Sequence, residues 1–119
     1  MNEWPSNWIS DSAQVSALIE KWRGATAQAW AYSVSHSQLL VRVHWDREPV
    51  EIFSLFVYFK GCSRVAFRDT WREFNLQVSQ TNGQFGSEFE VSDGDHLSVR
   101  CSSGPFVYET ETFLKLPGI

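Results

Sequence analysis

Positive charge is scarce in this chain. Ten Lys and Arg stand against 14 Asp and Glu, for a formal net charge of -4. A protein that holds a nucleic acid by neutralising phosphates needs the opposite balance, so nucleic-acid binding is not expected. The deficit is concentrated late: Glu88, Glu90, Asp93, Asp95, Glu109 and Glu111 are answered only by Arg100 and Lys115. Cysteine is scarce too. Cys62 and Cys101 are the only two, far apart in sequence and without C-x-x-C spacing, which argues against a disulfide framework and reads as two free thiols in a reducing compartment. A long hydrophobic run is also missing. The richest stretch, VEIFSLFVYF at 50–59, is half of what a membrane-spanning helix requires. The N-terminus, MNEWPSNWISD, lacks the basic start and apolar run of a signal peptide. A soluble cytoplasmic protein with no membrane partner is the expectation. Repeats, linkers and low-complexity tracts are absent, and 119 residues are one domain's worth of chain, spanning 1–119.

Aromatic residues, by contrast, are plentiful. Six Trp, nine Phe and three Tyr make up 15% of the chain, enough large rings for a small domain to build a real core. One helix is written clearly, over 11–23 behind an N-terminal arm at 1–10. Asp11 is the N-cap and Gln14 completes a capping-box pattern. Val15, Leu18, Ile19 and Trp22 follow at i, i+3, i+4 and i+7, Lys21 and Arg23 suit the C-terminal end of the dipole, and Gly24 stops the helix.

The remainder, 27–116, reads as strands at 27–34, 38–45, 50–59, 63–68, 73–79, 85–91, 96–101 and 106–116. Ser35-His36-Ser37, Asp46-Arg47-Glu48-Pro49, Gly61-Cys62, Asn82-Gly83, Asp93-Gly94 and Ser103-Gly104-Pro105 serve as turns, and links this short imply antiparallel neighbours. A four-residue loop at 46–49 would set Val43 opposite Ile52 and Leu39 opposite Phe56. A two-residue turn at Gly61-Cys62 would set Tyr58 opposite Val65. One face then carries Leu39, Val41, Val43, Trp45, Val50, Ile52, Phe56, Tyr58, Val65 and Phe67. The other carries an apolar ridge of Phe53, Leu55, Val57 and Phe59 between Arg42, His44, Arg64 and Arg68. One helix about 10–12 Å wide covers only two or three strands spaced about 4.8 Å apart. The expected fold is therefore α+β: an N-terminal helix on a strongly curved antiparallel meander of seven or eight strands, with Trp4 and Trp8 plugging part of the gap. A partly closed β-barrel with a capping helix is the alternative.

No catalytic motif stands out. His36, His44, His96, Cys62 and Cys101 are the candidate metal ligands, none at x2–4 or HExxH spacing, so neither a metal nor a cofactor is expected. Cys62, in a Gly-Cys-Ser turn, and Asp95-His96 allow a Cys–His pair to be drawn, but scattered residues allow many such drawings. Gly-rich phosphate loops and a G-x-S-x-G elbow are absent. His44 opposite Glu51 is the one acid–base pair the expected register offers, and an ordinary cross-strand pair explains it as well. Arg100 is expected near Asp93 and Asp95. The ridge of Phe53, Leu55, Val57 and Phe59 rimmed by Arg42, His44, Arg64 and Arg68 has the composition of an interface, aromatic and apolar at its centre with Arg around it. The same residues would equally lie beneath the helix.

These features favour a non-catalytic protein-binding module, such as an inhibitor or immunity-type protein. A pocket protein or modest acid–base enzyme using His44 and Glu51, and a homodimer or structural subunit joined through the ridge or an edge strand, are the alternatives.

Overall fold

The computed structural model of the chain describes residues 4–46, 52–83 and 86–116. Among these residues one α-helix, α1 (Ser12–Lys21), precedes seven strands: β1 (Thr26–Ser33), β2 (Gln38–His44), β3 (Ser54–Phe67), β4 (Thr70–Trp71), β5 (Gln77–Gly83), β6 (Gly86–Asp93) and β7 (Leu97–Thr110). The strands form one sheet in the order β4-β1-β2-β3-β7-β6-β5, and every pairing between them is antiparallel. The class is α+β with a meander-like sheet. The expected four-residue turn at 46–49 and Glu51 lie outside the described residues.

The helix forms where its local chemistry places it. The Asp11 carboxylate accepts the Gln14 backbone N–H at 3.1 Å. Val15, Ile19 and Trp22 point into the core. Gly24, at φ 94°, carries the chain out of the helix, and its N–H donates to the Phe74 carbonyl. The far end of the helix is tied to β7, because Glu109 accepts from Lys21 Nζ at 2.7 Å and from Trp22 Nε1 at 2.8 Å.

Three of the expected turns are not turns. Gly61-Cys62 lies inside β3 and Ser103-Gly104-Pro105 inside β7, so each 14-residue strand replaces two shorter expected ones. The glycines are used for close approach and bending instead. Gly61 sits at φ 62°, and a Cβ there would fall 2.0 Å from Ser102 Oγ. Gly104 sits at φ 121°, where a Cβ would lie 2.9 Å from the Tyr58 carbonyl oxygen. The β3–β7 ladder shifts register between Tyr58 and Lys60 and again between Cys62 and Arg64, bracketing the bend. Asn82-Gly83 likewise stays in the ladder, opposite Ser87 and Gly86.

The register of β2 on β3 also departs from expectation. Val43 faces Leu55, Val41 faces Val57 and Leu39 faces Phe59. Val43 was expected opposite Ile52, so the slip is an odd number of residues, and an odd slip exchanges the faces of a strand. Leu55, Val57 and Phe59 therefore share the inner face with Leu39, Val41 and Val43, while Phe56 and Tyr58 share the outer face with Leu40 and Arg42.

Both faces are covered, which answers how so apolar a strand as β3 is accommodated. The inner core joins Val15 and Ile19 of α1, Trp22 at its C-terminal cap and the inner residues of β2 and β3 to Val91, Leu97, Val99 and Cys101 of β6 and β7. The sheet thus folds over its own inner face. The edge strand β4 reaches the far side of that fold: Trp71 Nε1 donates to Asp93 Oδ2, at the end of β6, at 2.8 Å. In a flat sheet five spacings, about 24 Å, would separate β4 from β6. The curl does not close. Glu73, at φ 57°, turns the chain away after two residues of β4, and Phe74 then pairs its backbone with Ala25 and Gly24, so no barrel seam forms among the described residues.

The outer face is roofed by chain segments from both sides. Leu40, Phe56 and Tyr58 pack with Leu114 and Leu116, and Trp4, Trp8, Trp30 and Tyr108 complete the cluster. Trp4 meets Tyr58 edge-on at 4.8 Å, and Trp30 Nε1 holds the Leu114 carbonyl at 2.7 Å. Residues 111–116, expected as strand, instead run irregularly across this face. Ile9 bridges Val107 through two backbone hydrogen bonds of 3.0 Å, along the stretch of β7 that β6 does not reach.

Candidate functional site

The expected ridge is not one surface. Leu55, Val57 and Phe59 have no exposure and belong to the inner core. Phe53 packs on Trp22, ring centroids 5.9 Å apart. Arg42 is on the other side of the sheet, nearly buried, with Nε donating to Ser54 Oγ at 2.9 Å and its guanidinium between the rings of Trp30 and Phe113 at 5.5 and 5.0 Å. His44, at the end of β2, is half-buried; burial and the Arg42 charge hold its pKa below the ordinary 6.5, against opposing pulls from Asp46 and the Trp45 backbone. Arg64 and Arg68 are exposed at the far end of β3, where Arg64 reaches Ser98 Oγ at 3.3 Å and the Arg68 N–H bonds the His96 carbonyl. Two departures divide the set: the odd register slip puts Arg42 and His44 on the face opposite Leu55, Val57 and Phe59, and the run of β3 straight through Gly61-Cys62 carries Arg64 and Arg68 away to its far end.

Other expected pairings also move. Arg100 meets Glu90, through both Nε and Nη2, and Glu88 at 3.6 Å, not Asp93 and Asp95. Asp93 is buried and accepts from Trp71 Nε1 and from the Asn75 N–H at 2.9 Å. Cys62 and Cys101 are free, with burial pushing their thiols up to about 11 and about 12, far from the thiolate a nucleophile needs. His36 Nδ1 is engaged by Ser33 and Ser35 Oγ at 3.0 and 3.1 Å. Among the described residues no three His, Cys, Asp or Glu side chains gather in a way that could hold a metal ion. No helix among them is long and apolar enough to cross a membrane.

What the fold does leave open is an edge. Of the two outer strands, β4 is two residues long, whereas β5 has seven and pairs with β6 alone among the described strands. Natural sheets blunt a long edge with Lys, Pro, bulges or a covering segment. Strand β5, QVSQTNG, has none of the residue devices: no proline and no charged side chain. Residues 77–82 are all exposed. Beside it lies a cleft of about 430 Å³ between α1 and the β5–β6–β7 layer. Val15 and Ser16 line one wall, Val78, Gln80 and Phe89 the other, and Pro105 and Phe106 the end. Among the described residues no charged side chain lines it.

Family models, curated proteins and solved structures offer no match to this chain.

The edge is not a feature that strand propensity reveals, since which strand ends a sheet depends on non-local pairing. One signal was nonetheless present: between Glu73 and Glu88 the chain has no Lys, Arg, Asp or Glu. An uncharged stretch of that length in an otherwise charged, strand-rich sequence marks a segment without gatekeepers.

Proposed function

We propose that this protein is a non-catalytic protein-binding module, and that it takes an extended, uncharged segment of a partner protein antiparallel to β5. The observation that carries the reading is the seven-residue, charge-free edge strand bordering an uncharged cleft. An added strand bonds its backbone to the edge, and alternate side chains enter the neighbouring cleft, which gives affinity from main chain and selectivity from pockets. The uncharged lining favours small and apolar side chains at those alternate positions, since a buried unpaired charge is costly. Val78, 44% exposed at the mouth of the cleft, is the contact such side chains would meet. An inhibitor or immunity-type role fits a module of this kind.

The test is a displayed library of random octapeptides selected on the purified protein, followed by hydrogen exchange on the complex. Selected peptides should alternate apolar and polar residues and should slow exchange at amides of 77–83. Val78→Lys should abolish binding while moving the urea midpoint little, since an exposed substitution costs within about 0.5 kcal/mol. Peptides that protect a different surface, or that still bind Val78→Lys, would refute the assignment. So would a light-scattering mass of a dimer in which β5 amides are already protected, for the edge would then serve a second copy.

A further inference from the structure

We propose that Cys62 and Cys101 are a redox site: a cross-strand pair that closes reversibly into a disulfide by exchange with a low-molecular-weight disulfide of the glutathione class. Sequence distance hides this pair, but the β3–β7 register sets the two residues directly opposite each other. Residues opposite in a ladder share a face, and both belong to the inner one. The type of pairing follows from a single hydrogen bond. The Cys62 N–H donates to the Ser37 carbonyl at 2.9 Å, toward the β1–β2 turn and away from β7. In an antiparallel ladder a residue's N–H and C=O point to the same side, so toward β7 this is a non-hydrogen-bonded pair. Cα atoms in such pairs stand about 4.5 Å apart with the side chains at their closest. A disulfide spans about 4.4–6.8 Å between Cα atoms, a range that includes the spacing of a non-hydrogen-bonded pair. Cys62 lies half-buried and Cys101 is inaccessible. This makes Cys62 the thiol a reagent meets and Cys101 the one that resolves.

The exchange balances in two steps. Cys62 gives up its proton, its thiolate attacks one sulfur of glutathione disulfide, and one glutathione thiolate departs. Cys101 then gives up its proton and attacks Cys62 Sγ, expelling the second glutathione. The two expelled thiolates take up the two protons; the protein pair is oxidised by two electrons and one glutathione disulfide is reduced to two thiols. Burial holds both thiols high, so the reaction is slow at neutral pH and speeds up as pH rises. The bond would clasp β3 to β7 where both strands bend, and reduction would release that clasp.

The experiment incubates the folded protein with glutathione disulfide at mildly alkaline pH, quenches with an alkylating reagent, and reads intact mass and a peptide map. The expected wild-type product is a monomer lighter by two hydrogens, with peptides holding Cys62 and Cys101 linked, and with a higher urea midpoint that a phosphine reductant reverses. Cys101→Ser should stall as a glutathione adduct on Cys62, and Cys62→Ser should stay unmodified. A wild type that accumulates the Cys62 adduct without closing, that links only in unfolding concentrations of urea, or that links between chains would overturn the proposal. Should a serine variant fail to fold, the wild-type mass and map decide by themselves.

Discussion

Replacing Asp93 with Ala removes the acceptor that ties β4 to the end of β6 across the curl. Two donors lose their partner, Trp71 Nε1 at 2.8 Å and the Asn75 N–H at 2.9 Å. A hydrogen bond to a charged group contributes about 1.5–3 kcal/mol, and a buried donor left unpaired costs about 1–3 kcal/mol. The two donors do not fare alike. Asn75 is exposed, so its N–H turns to water; Trp71 is 4% exposed, so its indole N–H is stranded. Removing a buried carboxylate returns some of the loss, because its desolvation no longer has to be met. The expected net cost is about 2–4 kcal/mol, a large share of the roughly 5–15 kcal/mol that holds a domain together. Asp93→Asn keeps one acceptor oxygen for two donors and should lose about half as much. Urea unfolding followed by tryptophan fluorescence and by circular dichroism measures both variants. Trp71→Phe completes a double-mutant cycle, with a coupling of about 1–3 kcal/mol expected. If Asp93→Ala moves the free energy by less than about 0.5 kcal/mol, or the cycle is additive, Asp93 does not hold the two ends of the sheet together and the account of the curl fails.

Phe59→Asp places a carboxylate at a position with no exposure and should abolish the cooperative unfolding transition in circular dichroism. A soluble, cooperatively folding variant would return Phe59 to the surface. Arg42→Ala should cost about 2–3 kcal/mol by chemical denaturation, from the lost bond to Ser54 and the contacts with Trp30 and Phe113, and Arg42→Met should recover at least half because it keeps the apolar stem. For His44 the folded pKa lies below 6.5, so between that value and 6.5 the unfolded chain binds more protons than the native one. Wild type should therefore lose stability as pH falls through 6.5, the loss levelling off below the folded pKa, while His44→Gln lacks this component; urea midpoints measured against pH read the difference.

The parts of this fold that a sequence can show are the local ones. Asp11, the Val15–Ile19–Trp22 stripe and Gly24 signal the helix within a single segment, and the structure places the helix there. Ser35-His36-Ser37 is a turn closed locally, by the Ser37 N–H donating to the Val34 carbonyl at 3.2 Å and by the Ser33 and His36 side chains meeting at 3.0 Å. Gly61 and Gly104 show the limit. Their need for unusual backbone is legible, but whether glycine serves a turn or a bend within a continuous strand depends on what lies across from it, here Ser102 and Tyr58. The face assignment failed for a sharper reason. A strand apolar on both faces has no internal marker of which is inward, so an odd slip in the β2–β3 register went undetected and carried Leu55, Val57 and Phe59 from a surface ridge into the core. The cysteine pair and the open edge are non-local in the same way: each exists only once strand order is known.

The roof over the outer face has a consequence for how the chain is made. Leu40, Phe56 and Tyr58 leave the ribosome well before Leu114 and Leu116, the residues that shield them. At about 5–20 residues per second, the 60 positions from Phe56 to Leu116 take about 3–12 s to synthesise. Throughout that interval a nascent chain carries a greasy, unroofed sheet surface that only the early Trp4 and Trp8 can begin to shelter. Slow elongation over 60–116 should therefore lengthen the period in which chaperone holdases find a target, and lower the soluble yield when they are scarce.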